Sequence, residues 1–327
     1  MARAGDAKGN AAAGERINLP PEVEEVFRQF RTCEFSTLAR DGAPITWPTA
    51  TLWQPKEDRF VITTSIGLVQ KALNARRNPK VSLLFSDPTA SGLENPPAVL
   101  VQGDAEVTDG IKTSPAGFEE YWRRLFERQP AGKVYGANPL TRYLMDWYYM
   151  RLYIFVRPRR ITRLSQSDPE RGSHEEVGMA GRTEEITRYL PAFPTAVLNG
   201  LDGEGYPYSV RCHPVSDRSS GLPKFALPTQ ITIEPGPASL LCHSHDERLW
   251  NLNSFLVRGR LDRVENGRTF VAERFVPGGG IGGPLGTVKA FVGIRRTATR
   301  YLRKRGLPRP PIPWNEIETL KGKAQRR

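Results

Sequence analysis

Hydroxyl and lysine side chains in the first half of the chain have the types and spacing of an anion-binding site. The segment FVITTSIGLVQKALNARRNPKVSLLF contains the hydroxyl residues Thr63, Thr64 and Ser65. Lys71 follows them near the start of a helical stretch. Hydroxyls, backbone N–H groups at a helix start and an ammonium group all donate hydrogen bonds, so together they favour a phosphate. Spacing alone leaves open that the hydroxyls only cap the helix and that Lys71 is a solvated surface charge.

The segments around these residues predict a mainly β fold with flanking helices. Short runs separated by turn signals such as RDGAP and QPKED are typical of an antiparallel sheet. The predicted strands are 34–39, 45–53, 59–65, 80–85, 98–108 and 150–164. Amphipathic patterns predict helices over 22–30 and 114–129. The aromatic run YLMDWYYMRLY over 143–153 suits either a packed interface or an ordinary core.

The second half repeats motifs of the first half in the same order. PKVSLLFSD and then AVLVQGDAEV are matched by GPASLLCHSHD and then FLVRGRLDRV. Ser82 lies 21 residues before Gly103, and Ser239 lies 20 residues before Gly259. This agreement in order and spacing predicts a tandem duplication. The second copy has PTQITIEPGP where the first has the Lys71 helix, so a site at Lys71 belongs to the first half alone.

The Lys71 segment resembles the flavin-binding segment of the pyridoxamine 5'-phosphate oxidase-like split β-barrel superfamily, which includes flavin and deazaflavin oxidoreductases. The resemblance rests on the motifs Thr63-Thr64, Lys71-Ala72, Asn78-Pro79, VSLLF over 81–85 and VLVQGDAEV over 99–107. FVRPRRITRL is similar to the closing strand of that barrel. The similarity covers roughly residues 27–164.

The resemblance implies an α+β fold, mainly β with flanking helices, of two tandem antiparallel Greek-key split β-barrels. The barrels would form an intramolecular pseudo-dimer with one working cofactor groove, as a monomer or as a further homodimer. The predicted organisation is a disordered leader over 1–20, a first barrel over 21–164, a linker over 165–185, a degenerate second barrel with a basic C-terminal helix over 186–306, and a basic tail over 307–327.

The resemblance also implies an FMN-dependent oxidoreductase that transfers hydride between a nicotinamide or other donor and a small organic substrate. In the family the hydroxyl pair and the lysine hold the FMN phosphate. The expected cofactor contacts are Thr49, Thr63, Thr64, Ser65, Gln70 and Lys71, and the possible groove contacts are Trp47, His243, His245 and Arg248. The catalytic acid or base stays unassigned.

The chain departs from the family pattern at the phosphate site. Trp47 and Leu52 align with positions where true pyridoxamine phosphate oxidases have a phosphate-binding arginine and lysine, and Val69-Gln70 replaces the usual Ser-Arg. The C-terminal substrate signature of those enzymes is absent. Vitamin oxidation is therefore disfavoured. A reductase that uses an 8-hydroxy-5-deazaflavin coenzyme and a non-enzymatic flavin or haem carrier remain alternatives.

The segment CHSHDERLW in the second half has its own chemistry. His243 and His245 share one face of a predicted strand, and His213 and Cys242 are candidates to join them as metal or haem ligands. The spacing fits no recognisable metal motif, so no metal is predicted. The alternatives are cofactor or substrate contacts at the barrel–barrel groove, which include Arg248, and a hydrogen-bonded strand end.

Composition limits the remaining function classes. The net charge of +12 attracts anions in general. Zinc-finger spacing and RNP-type strands are absent, so we expect no nucleic-acid partner. The sequence shows no secretory signal or long apolar run, so we expect no membrane partner. Three widely separated cysteines indicate a reducing, cytoplasmic location.

Overall fold

The chain is described by a computed structural model. It describes residues 17–128, 135–136, 138–164, 174–216, 223–228, 231–247, 249, 252–265, 267–280 and 283–324. The predicted leader, 1–20, lies mostly outside these residues. No helix among them is long and apolar enough to cross a membrane.

The first half forms a curled antiparallel sheet. Its strands are β1 (Cys33–Leu38), β2 (Pro44–Thr49), β3 (Thr51–Gln54), β4 (Arg59–Ser65), β5 (Lys80–Phe85), β6 (Ala98–Val107) and β7 (Arg151–Leu164). They are ordered β2-β1-β5-β6-β7-β4-β3. The single strand predicted over 45–53 is two strands, because the chain leaves its pairing with β1 at Thr49 and pairs with β4 from Thr51. The two edges of the sheet therefore meet at Ala50.

Helices cover both faces of this sheet. They are α1 (Pro21–Gln29), α2 (Gln70–Arg77), α3 (Glu119–Arg128) and α4 (Pro139–Met145). On the inner face, Phe27 of α1 packs on Phe60 with 4.8 Å between ring centroids. On the outer face, Val61 and Tyr153 pack beneath Trp122 of α3 in a separate apolar cluster. From Met145 onward, the apolar side chains of the aromatic run over 143–153 belong to these two clusters within the first half, whereas Tyr143 and Leu144 are exposed.

The second half forms a closed barrel. Its strands are β8 (His174–Gly181), β9 (Ala196–Leu201), β10 (Pro207–Ser216), β11 (Pro223–Pro228), β12 (Glu234–Ser244), β13 (Asn253–Val264) and β14 (Gly267–Pro277), and helix α5 is Glu184–Tyr189. The pairings of β9 with β10 and β12, and of β13 with β12 and β14, match those of β1 with β2 and β5, and of β6 with β5 and β7. The extra strand β8 pairs parallel with β14 and separates it from β11.

The linker predicted over 165–185 is therefore too long. Residues 174–181 are β8, and helix α5 begins at Glu184. Val177 and Met179 are buried on one face of β8. These two inward side chains are enough to hold the short strand between its two neighbours. Two apolar residues in an otherwise polar segment are a weak signal, so the sequence predicts a linker rather than a strand.

A glycine bulge recurs at the same place in both halves. The pairing of β6 with β7 shifts at Gly103, and the pairing of β13 with β14 shifts at Gly259. A Cβ at Gly103 would lie 2.2 Å from the Arg157 carbonyl oxygen, and one at Gly259 would lie 2.1 Å from that of Val271. The strand therefore requires glycine at both bulges. This correspondence fits the predicted tandem arrangement.

Polar contacts between the halves are reciprocal. Ser36 pairs with Thr46 between β1 and β2, and Asn199 pairs with Ser209 between β9 and β10. Ser36 is therefore the equivalent of Asn199, and Thr46 is the equivalent of Ser209. The Ser36 hydroxyl contacts that of Ser209 at 3.0 Å. The Asn199 amide donates to Thr46 Oγ1 at 2.6 Å. Equivalent residues thus exchange roles across the contact, as in an isologous dimer. The two barrels form the predicted intramolecular pseudo-dimer.

The C-terminal segment packs on the first half. Helix α6 (Gly283–Lys304) places Ala298, Tyr301 and Leu302 in the core cluster of the first sheet. Helix α7 (Trp314–Lys323) places Ile317 and Leu320 beneath α3. The predicted boundaries over 186–306 and 307–327 are therefore wrong. The strands of the second barrel end with β14 at Pro277, and the predicted tail contains helix α7. The many arginines of α6 obscure its apolar stripe with helical spacing, so the sequence does not show that this helix packs on the first half.

Candidate functional site

Lys71 lies in the first turn of α2, beside the junction of β2 and β3. Its ammonium donates a hydrogen bond to Thr49 Oγ1 at 3.3 Å. It stands 5.8 Å from the centre of the Trp47 ring. Burial, and after it the nearby Arg151 guanidinium, lower the pKa of Lys71 to about 8. The structure thus brings Thr49, Trp47 and Lys71 together.

The three consecutive hydroxyls have different surroundings. Thr63 Oγ1 accepts from Arg151 Nη1 at 2.9 Å and donates to the Tyr121 hydroxyl at 3.0 Å. Thr64 Oγ1 donates to the Leu68 carbonyl at 2.7 Å, which stabilises the turn before α2. Ser65 Oγ is buried and has no hydrogen-bond partner among the described residues. Thr63 and Ser65 therefore lie on the side of the sheet that faces Arg151, whereas the Thr64 hydroxyl is used to stabilise the turn before α2.

Arg151 is the residue that sequence reasoning missed. It is only 6% exposed, and its guanidinium lies 4.2 Å from the Tyr148 ring centre and 5.2 Å from that of Trp122. Its Nε donates to the Tyr148 carbonyl at 2.7 Å. Its cross-strand partner is Ser65. The available signal was an arginine inside an aromatic run, YYMRLY, at the start of a strand.

These residues form what we call the Lys71–Arg151 cluster. It comprises Thr49, Thr63, Ser65, Lys71, Tyr148 and Arg151. Among the described residues, neither Lys71 nor Arg151 makes a salt bridge, and three buried polar atoms of the cluster lack partners: Ser65 Oγ, the Tyr148 hydroxyl and Arg151 Nη2. Two cations with unused donors and no counter-ion are suited to bind an anion. The donor set therefore fits a phosphate.

Gln70 is not part of this cluster. Its side-chain amide donates to Asn74 Oδ1 at 2.7 Å, one turn further along α2. The Gln70 side chain is exposed. Leu52 is buried in the apolar cluster beneath α3. Gln70 and Leu52 stand where the family pattern has a cation. Neither side chain therefore adds a charge to the site.

The two histidines of the second half lie at the contact between the barrels. His243 Nε2 is 2.9 Å from Glu34 Oε1, and the Arg211 guanidinium donates to the same oxygen at 2.6 Å. Burial alone would raise the pKa of Glu34, but Arg211 and the His243 hydrogen bond outweigh it and hold that pKa below its ordinary value. We call these three residues the Glu34–Arg211–His243 network.

His245 lies beside this network. Its Nε2 is 3.4 Å from Asp87 Oδ2 and 3.3 Å from the Thr32 hydroxyl. Arg248, the other predicted groove contact, lies outside the described residues. Within the part of the chain that the structure describes, no group of three His, Cys, Asp or Glu residues is placed to hold a metal ion. The histidine contacts are those of a hydrogen-bonded strand end that joins the two barrels.

Comparisons with solved structures gave weak similarities. An F420 reductase is 20% identical over 44% of this chain and 98% of its own, with a TM-score of 0.29. General Stress Protein 26 from Bacillus anthracis is 14% identical over 44% and 96%, with a TM-score of 0.29. A FAD-binding protein from Mesorhizobium loti is 14% identical over 42% and 88%, with a TM-score of 0.30. At these values the similarities carry no weight for function.

Comparison with curated proteins gave no match. The model of one protein family, described as pyridoxamine 5'-phosphate oxidase, matches residues 19–143. The matched segment contains α1, the strands β1 to β6, and helix α2 with Lys71. Over this segment, which is less than half of the chain, the first barrel is therefore similar to the pyridoxamine 5'-phosphate oxidase family.

Proposed function

We propose that this chain binds FMN through the Lys71–Arg151 cluster and is a flavin-dependent oxidoreductase. The observation that supports it most is the pair of cations in this cluster, without an acidic partner in the described chain, beside three unpartnered buried polar atoms. The cluster includes the Lys71 helix that lies in the segment matched by the family model.

The roles of the residues follow from their positions. Lys71, Arg151 and the hydroxyls of Thr49 and Ser65 would hold the phosphate, and Trp47 would contact the cofactor beside them. Bound FMN would supply hydride transfer through its N5 atom, and the protein would supply binding, orientation and exclusion of water. The substrates in this proposal are a small organic molecule and a nicotinamide or other electron donor.

A deazaflavin-dependent reductase is the second candidate. The observation that favours it is the lack of a cation at Trp47 and Leu52, so that β2 and β3 contribute none to the site. Weaker binding of the phosphate group suits a coenzyme that the protein also binds through other groups. The true pyridoxamine phosphate oxidase reaction is not part of either candidate.

An absorption spectrum of the purified protein separates these functions. We expect the bands of oxidised flavin, or their appearance on addition of FMN, and bleaching when reduced nicotinamide is added without oxygen. Protein that is active only with added deazaflavin coenzyme would support the second candidate. A Soret band, or bound flavin that no donor reduces, would contradict an oxidoreductase and favour a carrier.

We also propose a cytoplasmic location and one cofactor per chain. The three cysteines, Cys33, Cys212 and Cys242, are all free and buried, which suits a reducing compartment. In the second half, only residues 229–233 separate β11 from β12, where the first half has the Lys71 helix. A matching phosphate site would therefore lack its lysine.

A further inference from the structure

The guanidinium of Arg151 is fixed in place with one nitrogen unused. Nη1 donates to Thr63, Nε donates to the Tyr148 carbonyl, and Nη2 has no partner among the described residues. The rings of Trp122 and Tyr148 lie against it. An unpaired buried charge is costly, and more than nine in ten buried polar groups in proteins are paired. The free nitrogen therefore indicates a missing ligand.

Two further unused groups surround the same guanidinium. Ser65 stands directly opposite Arg151 in the pairing of β4 with β7, and within the described part of the chain its Oγ has no partner. The hydroxyl of Tyr148 has none either. Cross-strand neighbours on one face lie about 5 Å apart, and the Tyr148 ring centre is 4.2 Å from the guanidinium, so the three groups surround one place. Three unused polar atoms at one place form a built site.

The charge of the site matches a dianion. Arg151 is close enough to disfavour the charge on Lys71, so the two cations share one neighbourhood. Neither forms a salt bridge in the described chain. A phosphate monoester carries a charge of about −1.5 to −2 at pH 7, whereas a diester linkage carries a single charge. A monoester compensates both cations, and a diester leaves one unmatched.

The surroundings of Arg151 are closed. Trp122 is 1% exposed and Tyr121 is 4% exposed, and both belong to the buried face of helix α3. A ligand chain that continued past the phosphate toward α3 would have to displace these buried side chains. The site therefore suits a terminal group.

From these observations we infer that Arg151 is a second phosphate ligand, which replaces the cation missing from β2 and β3 and selects a terminal phosphate monoester over a phosphodiester. This inference rests on the proposed function for the identity of the molecule that bears the phosphate. By charge it favours FMN over the 8-hydroxy-5-deazaflavin coenzyme, whose phosphate is a diester. The diphosphate of FAD also carries two charges, so FAD is disfavoured only by the closed surroundings of Arg151.

Fluorescence titrations with FMN and riboflavin test this role, because the two differ only in the phosphate. We expect Arg151→Gln to weaken FMN binding about 10- to 100-fold, the range of a charge-assisted hydrogen bond, and to leave riboflavin binding unchanged. The matched control is Arg59→Gln, because Arg59 also stacks on a ring, that of Phe155, but lies outside the cluster. Arg151→Lys keeps the charge and should give an intermediate loss. If Arg151→Gln does not fold, Arg151→Lys provides the same comparison.

An unchanged ratio of the FMN and riboflavin dissociation constants in the Arg151 variants would overturn the inference. Binding of FAD as tightly as FMN would overturn the selection of a terminal group. Inorganic phosphate separates this inference from the proposed function. We expect phosphate to raise the Tm of the wild-type protein above that in sodium chloride of equal ionic strength, and Arg151→Gln to abolish the rise. If flavins do not bind and this rise persists, the flavin function is wrong and the phosphate site stands. No rise in the wild-type protein would refute the site.

Discussion

Lys71 has an ammonium group whose charge changes in an accessible pH range, because burial and the Arg151 guanidinium lower its pKa to about 8. A phosphate monoester stays charged well above pH 7. As pH rises through about 8, free Lys71 loses its proton and with it the attraction for phosphate. FMN affinity should therefore fall from pH 7 to pH 10 by about 10- to 100-fold.

Lys71→Arg is the matched variant for this pH dependence. Arginine remains protonated throughout this range, so the affinity of the variant should be nearly constant between pH 7 and pH 10. Fluorescence titration of FMN at each pH measures both proteins. An equally steep fall in Lys71→Arg would show that another group causes the pH dependence.

Thr63 and Ser65 lie on the face of β4 that meets Arg151, whereas Thr64 bonds the turn before α2. The sequence predicts that the three hydroxyls converge with Lys71 on one point, whereas the structure directs Thr64 to a different partner. Period-two alternation in a strand already argues against that convergence. The arginine inside YYMRLY does not by itself place Arg151 at this site, because only the fold shows that β7 pairs with β4 and that the Arg151 side chain is buried.

Helix α6 contacts the turn that leads into the Lys71 helix. A Cβ added at Gly67 would lie 2.5 Å from Ile294 Cγ2 and 3.1 Å from the Trp147 ring. Gly67→Ala should therefore force α6 away and destabilise the protein by about 1–3 kcal/mol, the usual effect of overpacking. Thermal unfolding should show a Tm several degrees lower. Gly110→Ala is the control, because a Cβ there meets nothing within 4 Å.

Ile294→Ala in the Gly67→Ala background should restore part of the loss, since it removes the clashing methyl group. A Gly67→Ala protein as stable as the wild type would show that α6 does not pack here in solution.

The elements themselves were largely predictable: α1, β1, β4, β5, β6 and β7 lie within a few residues of their predicted bounds. The docking of α6 was not, because it depends on contacts between distant segments.

The whole molecule depends on complementary charges between two unequal barrels. In the Glu34–Arg211–His243 network, the Glu34 side chain is fully buried and that of Arg211 is 15% exposed. Glu34→Gln leaves the Arg211 charge without its partner. Breaking a buried pair in this way costs about 3–5 kcal/mol, so the free energy of unfolding at pH 7 should fall by that order. Urea denaturation measures it.

The same variant should change the acid response. The pKa of Glu34 is lowered on folding, so its contribution is present above its unfolded value of about 4.3 and is lost as pH falls below it. Glu34→Gln should therefore approach wild-type stability in strong acid. Glu24→Gln is the control, because the Glu24–Arg28 pair is exposed and should contribute less than about 1 kcal/mol. Equal stability of Glu34→Gln and the wild type at pH 7 would contradict this account of the interface.

The tandem arrangement was readable from the spacing of Ser82 and Gly103 and of Ser239 and Gly259, because a strand pair with a fixed bulge conserves that distance. The interface was not readable. Val197 and Pro48 occupy the positions in the other half that correspond to Glu34 and Arg211. The charged pair therefore crosses between the halves only once, and only the assembled fold shows the contact.

The measurement that tests the central claim most directly is the stoichiometry of FMN binding. Calorimetric titration of the purified full chain with FMN should give one binding site per chain, because only the first barrel retains the Lys71 helix. Lys71→Ala should bind FMN much more weakly at that site. Two equivalent sites per chain, or an FMN affinity that is unchanged in Lys71→Ala, would contradict the placement of the cofactor in the first barrel.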